Sequence, residues 1–252
     1  MKSVFRFAAL TFLVLGSRTL SCPGQSLAQR FGEPLVILQE FHPGKELLAL
    51  NEPDFVIYSS GQVIYKVQHG STREFREERF TRAATQLLIF DLDLTDSLMG
   101  LPDRIQASDL PNQPSFQLIL NFDSVKSIRV YGNVRDSSGL VSQRIPLAFR
   151  EAFRQIIHFG DPKDTVWIPD RFEVLFSVDQ NPSSHPIPWP PKWPGLSDST
   201  TVKRLPDLYS IFMDRNRYAS FLEFTRTLKP GQEVEIGNLV GKIYGHFPFP
   251  HL

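Results

Sequence analysis

The chain of 252 residues holds a single cysteine, Cys22, and it lies near the start. From Gln29 onward there is none, so that stretch forms no disulfide and no thiolate metal site. A body of this length manages without such staples, because its core buries enough apolar surface. A surplus of one charge is also missing. The whole chain carries 27 basic and 27 acidic residues, and the part beyond residue 28 carries 24 and 27. That part lacks the basic footprint of non-specific nucleic-acid binding. No apolar run beyond the first 28 residues is long enough to cross a bilayer as a helix. The six histidines include no i,i+4 pair and no HExxH, and GxSxG, SxxK and glycine-rich phosphate loops are absent. Patterns for zinc, serine-nucleophile and nucleotide chemistry are therefore missing. His246 and His251 flank a Phe-Pro-Phe-Pro tail without metal-ligand spacing. No metal and no cofactor is expected.

What is present begins with a leader. Lys2 and Arg6 precede a short apolar run, residues 7–16, and a zone of small residues follows. This order is that of a bacterial-type secretory signal over residues 1–28. Ser26-Leu27-Ala28 places a cut before Gln29. Thr19-Leu20-Ser21 places one before Cys22, where a lipobox-like context would make Cys22 the lipidated N-terminus. Thr19 stands where lipoboxes usually carry Leu, Val or Ile. The expected location is outside the cytoplasm, periplasmic or secreted, with lipid anchoring as the alternative.

Residues 29–252 form one α+β body with mostly antiparallel sheets, in halves of approximately 29–162 and 163–252. Residues 54–58 and 63–67 flank a Ser/Gly turn as a β-hairpin. Residues 73–80 fit a third strand of mixed charge. A helix over 81–90 follows, capped by Thr81, with Ala84, Leu87 and Leu88 on one face. Residues 115–122 and 126–132 form a second hairpin. Pro146 opens a helix that buries Phe149, Phe153, Ile156 and Ile157 and stops at Gly160. Strand residues 165–178 are interrupted at Pro169. After a proline-rich loop, strand 208–213 leads to a helix over 215–228, capped by Asp214, with Tyr218, Phe221, Leu222 and Thr225 on one face. Residues 233–236 and 239–247 close as a hairpin. The stretches 73–131 and 208–247 share the order β-α-β-β, which suggests an internal duplication.

The sequence Leu87-Leu-Ile-Phe-Asp91-Leu-Asp93-Leu-Thr95 resembles the first motif of the haloacid-dehalogenase phosphatases. That resemblance implies a Mg²⁺-dependent phosphohydrolase with Asp91 as nucleophile and Asp93 as general acid/base. Asp161, with Asp164, would belong to the metal motif. Leu94 stands where the family has glycine, the Asp161–Asp164 pair is spaced one residue too tightly, and hairpins replace the family's parallel sheet. The structural alternative is a helix end whose carboxylates face water.

Residues 181–195 hold Trp189 and Trp193 among six prolines. Proline fixes φ, so this loop should be extended and stiff. The tryptophans serve either as a binding platform or as anchors that pin the loop to the body. Trp167 is expected in the core.

The hairpin PDFVIYSSGQVIYKV, the loop WPPKWPG and the YSIF strand before the last helix resemble a group of uncharacterised exported bacterial proteins. No activity comes with that resemblance. The expectation is an exported, non-catalytic protein that contacts another protein or envelope component, with the phosphohydrolase as the alternative.

Overall fold

The computed structural model describes residues 30–43, 52–69, 72–136, 139–161, 163–181 and 185–252. The leader and Cys22 lie outside the described residues. The body is mixed α and β with two mostly antiparallel sheets.

The larger sheet has eight strands. Strand β1 (Pro34–Phe41) sits inside it, between β2 (Pro53–Tyr58) and β6 (Ser115–Asn121). Strands β3 (Gln62–His69), β4 (Thr72–Arg79) and β8 (Thr165–Val166) extend it on one side. Strands β7 (Val125–Tyr131) and β5 (Arg104–Gln106) extend it on the other, β5 pairing with β7 in parallel. Every residue of β2 is buried, so both faces of this sheet are covered.

One face carries helices. They are α1 (Arg82–Asp91), α2 (Asp96–Met99), α3 (Leu140–Arg144) and α4 (Leu147–Ile157). Leu88, Leu98, Phe149, Phe153 and Ile156 pack there against Val36, Phe55, Val63 and Leu118. Thr81 caps α1 as expected, its hydroxyl accepting from the Ala84 amide at 3.2 Å. The buried face of α1 differs from the expected one: Leu88 and Thr85 are buried, whereas Leu87 is 66% exposed. Ile157 is also outside the buried set, at 36% exposed, whereas Ala152 joins Phe149, Phe153 and Ile156 in the core.

The other face shares a core with the second sheet. That sheet runs β10 (Ile187–Pro188), β13 (Val234–Ile236), β14 (Leu239–His246), β9 (Arg171–Val178), β12 (Leu208–Asp214), β11 (Thr201–Leu205). Val56, Tyr58, Ile64 and Phe75 of the first sheet meet Phe172, Val174, Phe176 and Ile211 of the second. Helix α5 (Tyr218–Thr227) adds Phe221. A 3₁₀ turn over Arg215–Arg217 precedes it, and Asp214 makes no capping bond. The Asp214 carboxylate accepts from Arg171 instead, at 3.3 Å, because β9 and β12 pair directly at these residues.

The two β-α-β-β stretches share order but not pairing. Three strands separate β4 from β6, whereas only β9 separates β12 from β14.

Gly160 follows α4 with φ +103°, a region that side chains other than glycine's rarely enter. A Cβ there would lie 2.3 Å from the Tyr65 ring. That ring is held by its O–H bond to Asp164, 2.6 Å, and by Phe159 at 5.1 Å. Gly160→Ala should therefore cost about 1–3 kcal/mol, read as a lower denaturation midpoint. An unchanged midpoint would show both that the backbone relaxes out of this φ and that Tyr65 gives way.

Candidate functional site

Four segments meet at one edge of the junction between the sheets. The first is Arg30 and Phe31, just before β1. The second is the link from β8 to β9. The Trp167 amide donates to the Phe75 carbonyl at 2.8 Å, continuing the pairing of β4 with β8 by one residue. Pro169 has no N–H to go on with, so the chain leaves the first sheet and enters the second at Arg171. The third is the end of β12 with the start of the 3₁₀ turn, Phe212 to Arg215. The fourth is the tail. The Phe247 amide donates to Glu52 at 2.7 Å, and the Tyr58 hydroxyl donates to the Pro250 carbonyl at 3.2 Å. Pro248 and Pro250 keep the tail from pairing as a strand.

These segments enclose a cleft of about 550 Å³. Its floor is apolar and aromatic: Phe31, Trp167, Pro169 and Phe249 are buried. The Trp167 ring lies 4.8 Å from Phe249 and 5.7 Å from Phe247, and Phe75 supports Phe249 edge-on at 5.2 Å. Trp167 is thus both core, as expected, and cleft wall. Exposed charged residues line the opening: Arg30, Asp170, Arg171 and Arg215. On the other side of Trp167, Ile168 and Arg215, a wider groove runs along α5 past Tyr218 and Phe221. Burial raises the Tyr218 phenol to about 12, with the Glu52 and Glu74 charges adding to it, so the group stays a neutral hydroxyl.

The residues singled out in sequence lie elsewhere. Asp91 is the last residue of α1 and is exposed. Asp93 has φ +57°. The Leu94 amide donates to the Ile89 carbonyl at 3.1 Å, and the Asp93 amide to Phe90 at 2.9 Å. This is a Schellman stop, with Asp93 in the left-handed position and Leu94 packed beside Ile89 in the core. The phosphohydrolase alternative needs Asp91 at the end of a parallel strand, and the chain does not adopt that. Asp161 and Asp164 form a turn closed on itself: Asp161 accepts from the Lys163 amide at 2.8 Å, and Asp164 from the Asp161 amide at 3.1 Å. Among the described residues no three His, Cys, Asp or Glu side chains gather as a metal site.

Trp189 is 8% exposed, and its indole N–H donates to the Pro194 carbonyl at 2.9 Å. Trp193 crosses it at 4.9 Å, and Phe224 of α5 packs on both, at 5.6 and 5.4 Å. The loop is not extended throughout. The Trp193 amide closes a turn onto Pro190, 3.0 Å, which brings the two indoles together.

Two charge networks escaped sequence reading. Glu173, buried on β9, accepts from His246 and from Arg204, each at 2.8 Å. Burial alone would raise its pKa. Hydrogen bonds from His246 and Ser210, with the His246 and Arg204 charges, outweigh that and hold it at about 2. Ser210 is completely buried and bonded within this network, so it is not placed as a nucleophile. The second network involves Asp54. A bulge in β2 against β1 skips this residue and re-aims it. Asp54 pairs with Lys66 at 2.6 Å. Arg135 bonds Glu40 at 3.0 Å and stands 3.9 Å from the second Asp54 oxygen, which has no hydrogen bond. No sequence pattern marks the bonds from Glu173 to His246 and Arg204 or from Arg135 to Glu40, because they join segments 31 to 95 positions apart along the chain. Asp54 and Lys66, by contrast, share the β2–β3 hairpin. No described helix is long and apolar enough to cross a membrane. Set against known proteins, the chain matches no family model, no curated protein and no solved structure.

Proposed function

We propose that this chain is an exported, non-catalytic protein that works by binding a partner or envelope component, and that the cleft at Trp167 is its recognition site. One observation carries the reading. The body leaves a concave, aromatic-floored opening of about 550 Å³ at the junction of its two sheets. Preformed apolar concavities with a few charged groups at the mouth are the usual form of ligand sites. Trp189 and Trp193, the other binding candidates, have their aromatic faces occupied by Phe224 and each other. Export rests on the leader, as does the alternative of a lipid anchor at Cys22. Order of elements supports descent of the two halves from one β-α-β-β unit; strand pairing does not.

The test is a benzophenone crosslinker at position 168 in native cells, with a second at exposed position 87 on α1. Irradiation is expected to trap an adduct in the non-cytoplasmic fraction from position 168 and not from 87. Equal adducts from both, or a protein confined to the cytoplasm, would refute the proposal. So would p-nitrophenyl phosphate hydrolysis with Mg²⁺ that Asp91→Asn abolishes without unfolding.

A further inference from the structure

The chemistry of the cleft narrows its occupant, and this step rests on the binding reading above. We infer that the cleft takes a small amphiphile with one anionic head, a single-chain carboxylate. The buried floor of Phe31, Trp167, Pro169 and Phe249 offers no hydrogen-bonding side chain except the Trp167 indole. It therefore suits an apolar body. The charged and titratable side chains of the lining are Arg30, Arg171, Arg215, Glu77, Asp170 and His251, and the arginines stand at its mouth.

The arginines differ in what they already do. Arg171 is paired with Asp214 at 3.3 Å. Glu77 accepts the Gln62 side-chain amide. Arg30 rests over the Phe31 ring at 5.4 Å, and neither Arg30 nor Arg215 forms an ion pair with a described residue. Two guanidinium groups are thus left at the mouth of an apolar cleft. The guanidinium fork binds a carboxylate through two parallel N–H bonds, which fixes the head while the chain lies on the aromatic floor. A cationic head would meet like charge there. A neutral one would leave both forks to water.

The experiment compares dodecanoate, dodecanol and dodecylamine with the purified protein, each below its micelle concentration. Tryptophan fluorescence and equilibrium dialysis are the readouts. Dodecanoate is expected to bind about tenfold or more tighter than either other chain, because only its head makes charge-assisted bonds to the arginines. Arg30→Gln with Arg215→Gln should erase that preference and leave the melting temperature unchanged, since both side chains are exposed. Added salt should narrow it. Equal binding of all three chains would overturn the anionic head and leave the cleft standing as a binding site. A dodecanoate preference that survives the double substitution, or binding of none of the three, would also overturn the inference. The crosslinker at position 168 reports on the binding reading independently of these outcomes.

Discussion

Trp189→Ala is expected to destabilise the protein by about 3–5 kcal/mol, as truncation of a buried tryptophan does. The side chain loses its contacts with Trp193 and Phe224, and the Pro194 carbonyl loses its indole donor. For a body of this size each kcal/mol moves the melting temperature by roughly 2–4 °C, so the shift is on the order of 10 °C. Trp193→Ala should cost less, because that ring is only half-buried. Trp189→Phe should recover part of the loss by keeping the edge-on packing. Thermal scans without any ligand decide the matter. A shift of a degree or less would mean the indole is not an anchor, and the tryptophans would return to consideration as a binding platform. Emission from Trp189 should be blue-shifted and poorly quenched, measured against a Trp167→Phe background.

Glu173→Gln is the second large effect, and it depends on pH. The carboxylate has a pKa of about 2 when folded and an ordinary value of 4.5 when unfolded. A depressed folded value stabilises the protein above the unfolded pKa, and that contribution fades as pH falls through the folded one. It is complete above about pH 5 and gone near pH 2. A shift of this size corresponds to roughly 2–3 kcal/mol after allowance for solvent around Arg204 and His246. Denaturation of wild type and Glu173→Gln across this range should show the largest gap at neutral pH. The gap should close as the pH drops from 5 to 2. A gap that stays constant with pH would mean the glutamate acts through packing alone.

Local order was legible where a local rule governs it. The hairpin of β2 and β3 follows from β-branched and aromatic runs around Gly61, whose φ is +83°. The start of α1 follows from Thr81. Strand β1 was not foreseen, although it lies at the centre of the larger sheet. Pro34 to Phe41 is a short apolar run with no turn partner nearby, and its pairing with β6 joins residues some eighty positions apart. The stop of α1 was half-legible: the helix end was an alternative to the phosphatase motif, but the left-handed Asp93 looks like catalytic spacing until its backbone is seen. The exposure of Leu87 escaped because a run of four apolar residues fits several helical faces equally well. The cleft itself had no signature. Arg30, Trp167, Arg215 and Phe249 are brought together only by the crossing from one sheet to the other.

The covered second face of the first sheet has a consequence in time. Synthesis delivers the chain from residue 1, so β1 to β7 and helices α1 to α4 are complete before residue 160. The helices can then close their own face. The opposite face, with Val56, Tyr58, Ile64 and Phe75, waits for Trp167, for the second sheet and finally for Phe247 and Phe249. The bond from Tyr58 to Pro250 spans 192 positions. Until the segment that carries Phe247 and Phe249 is in place, that face leaves apolar surface open to self-association.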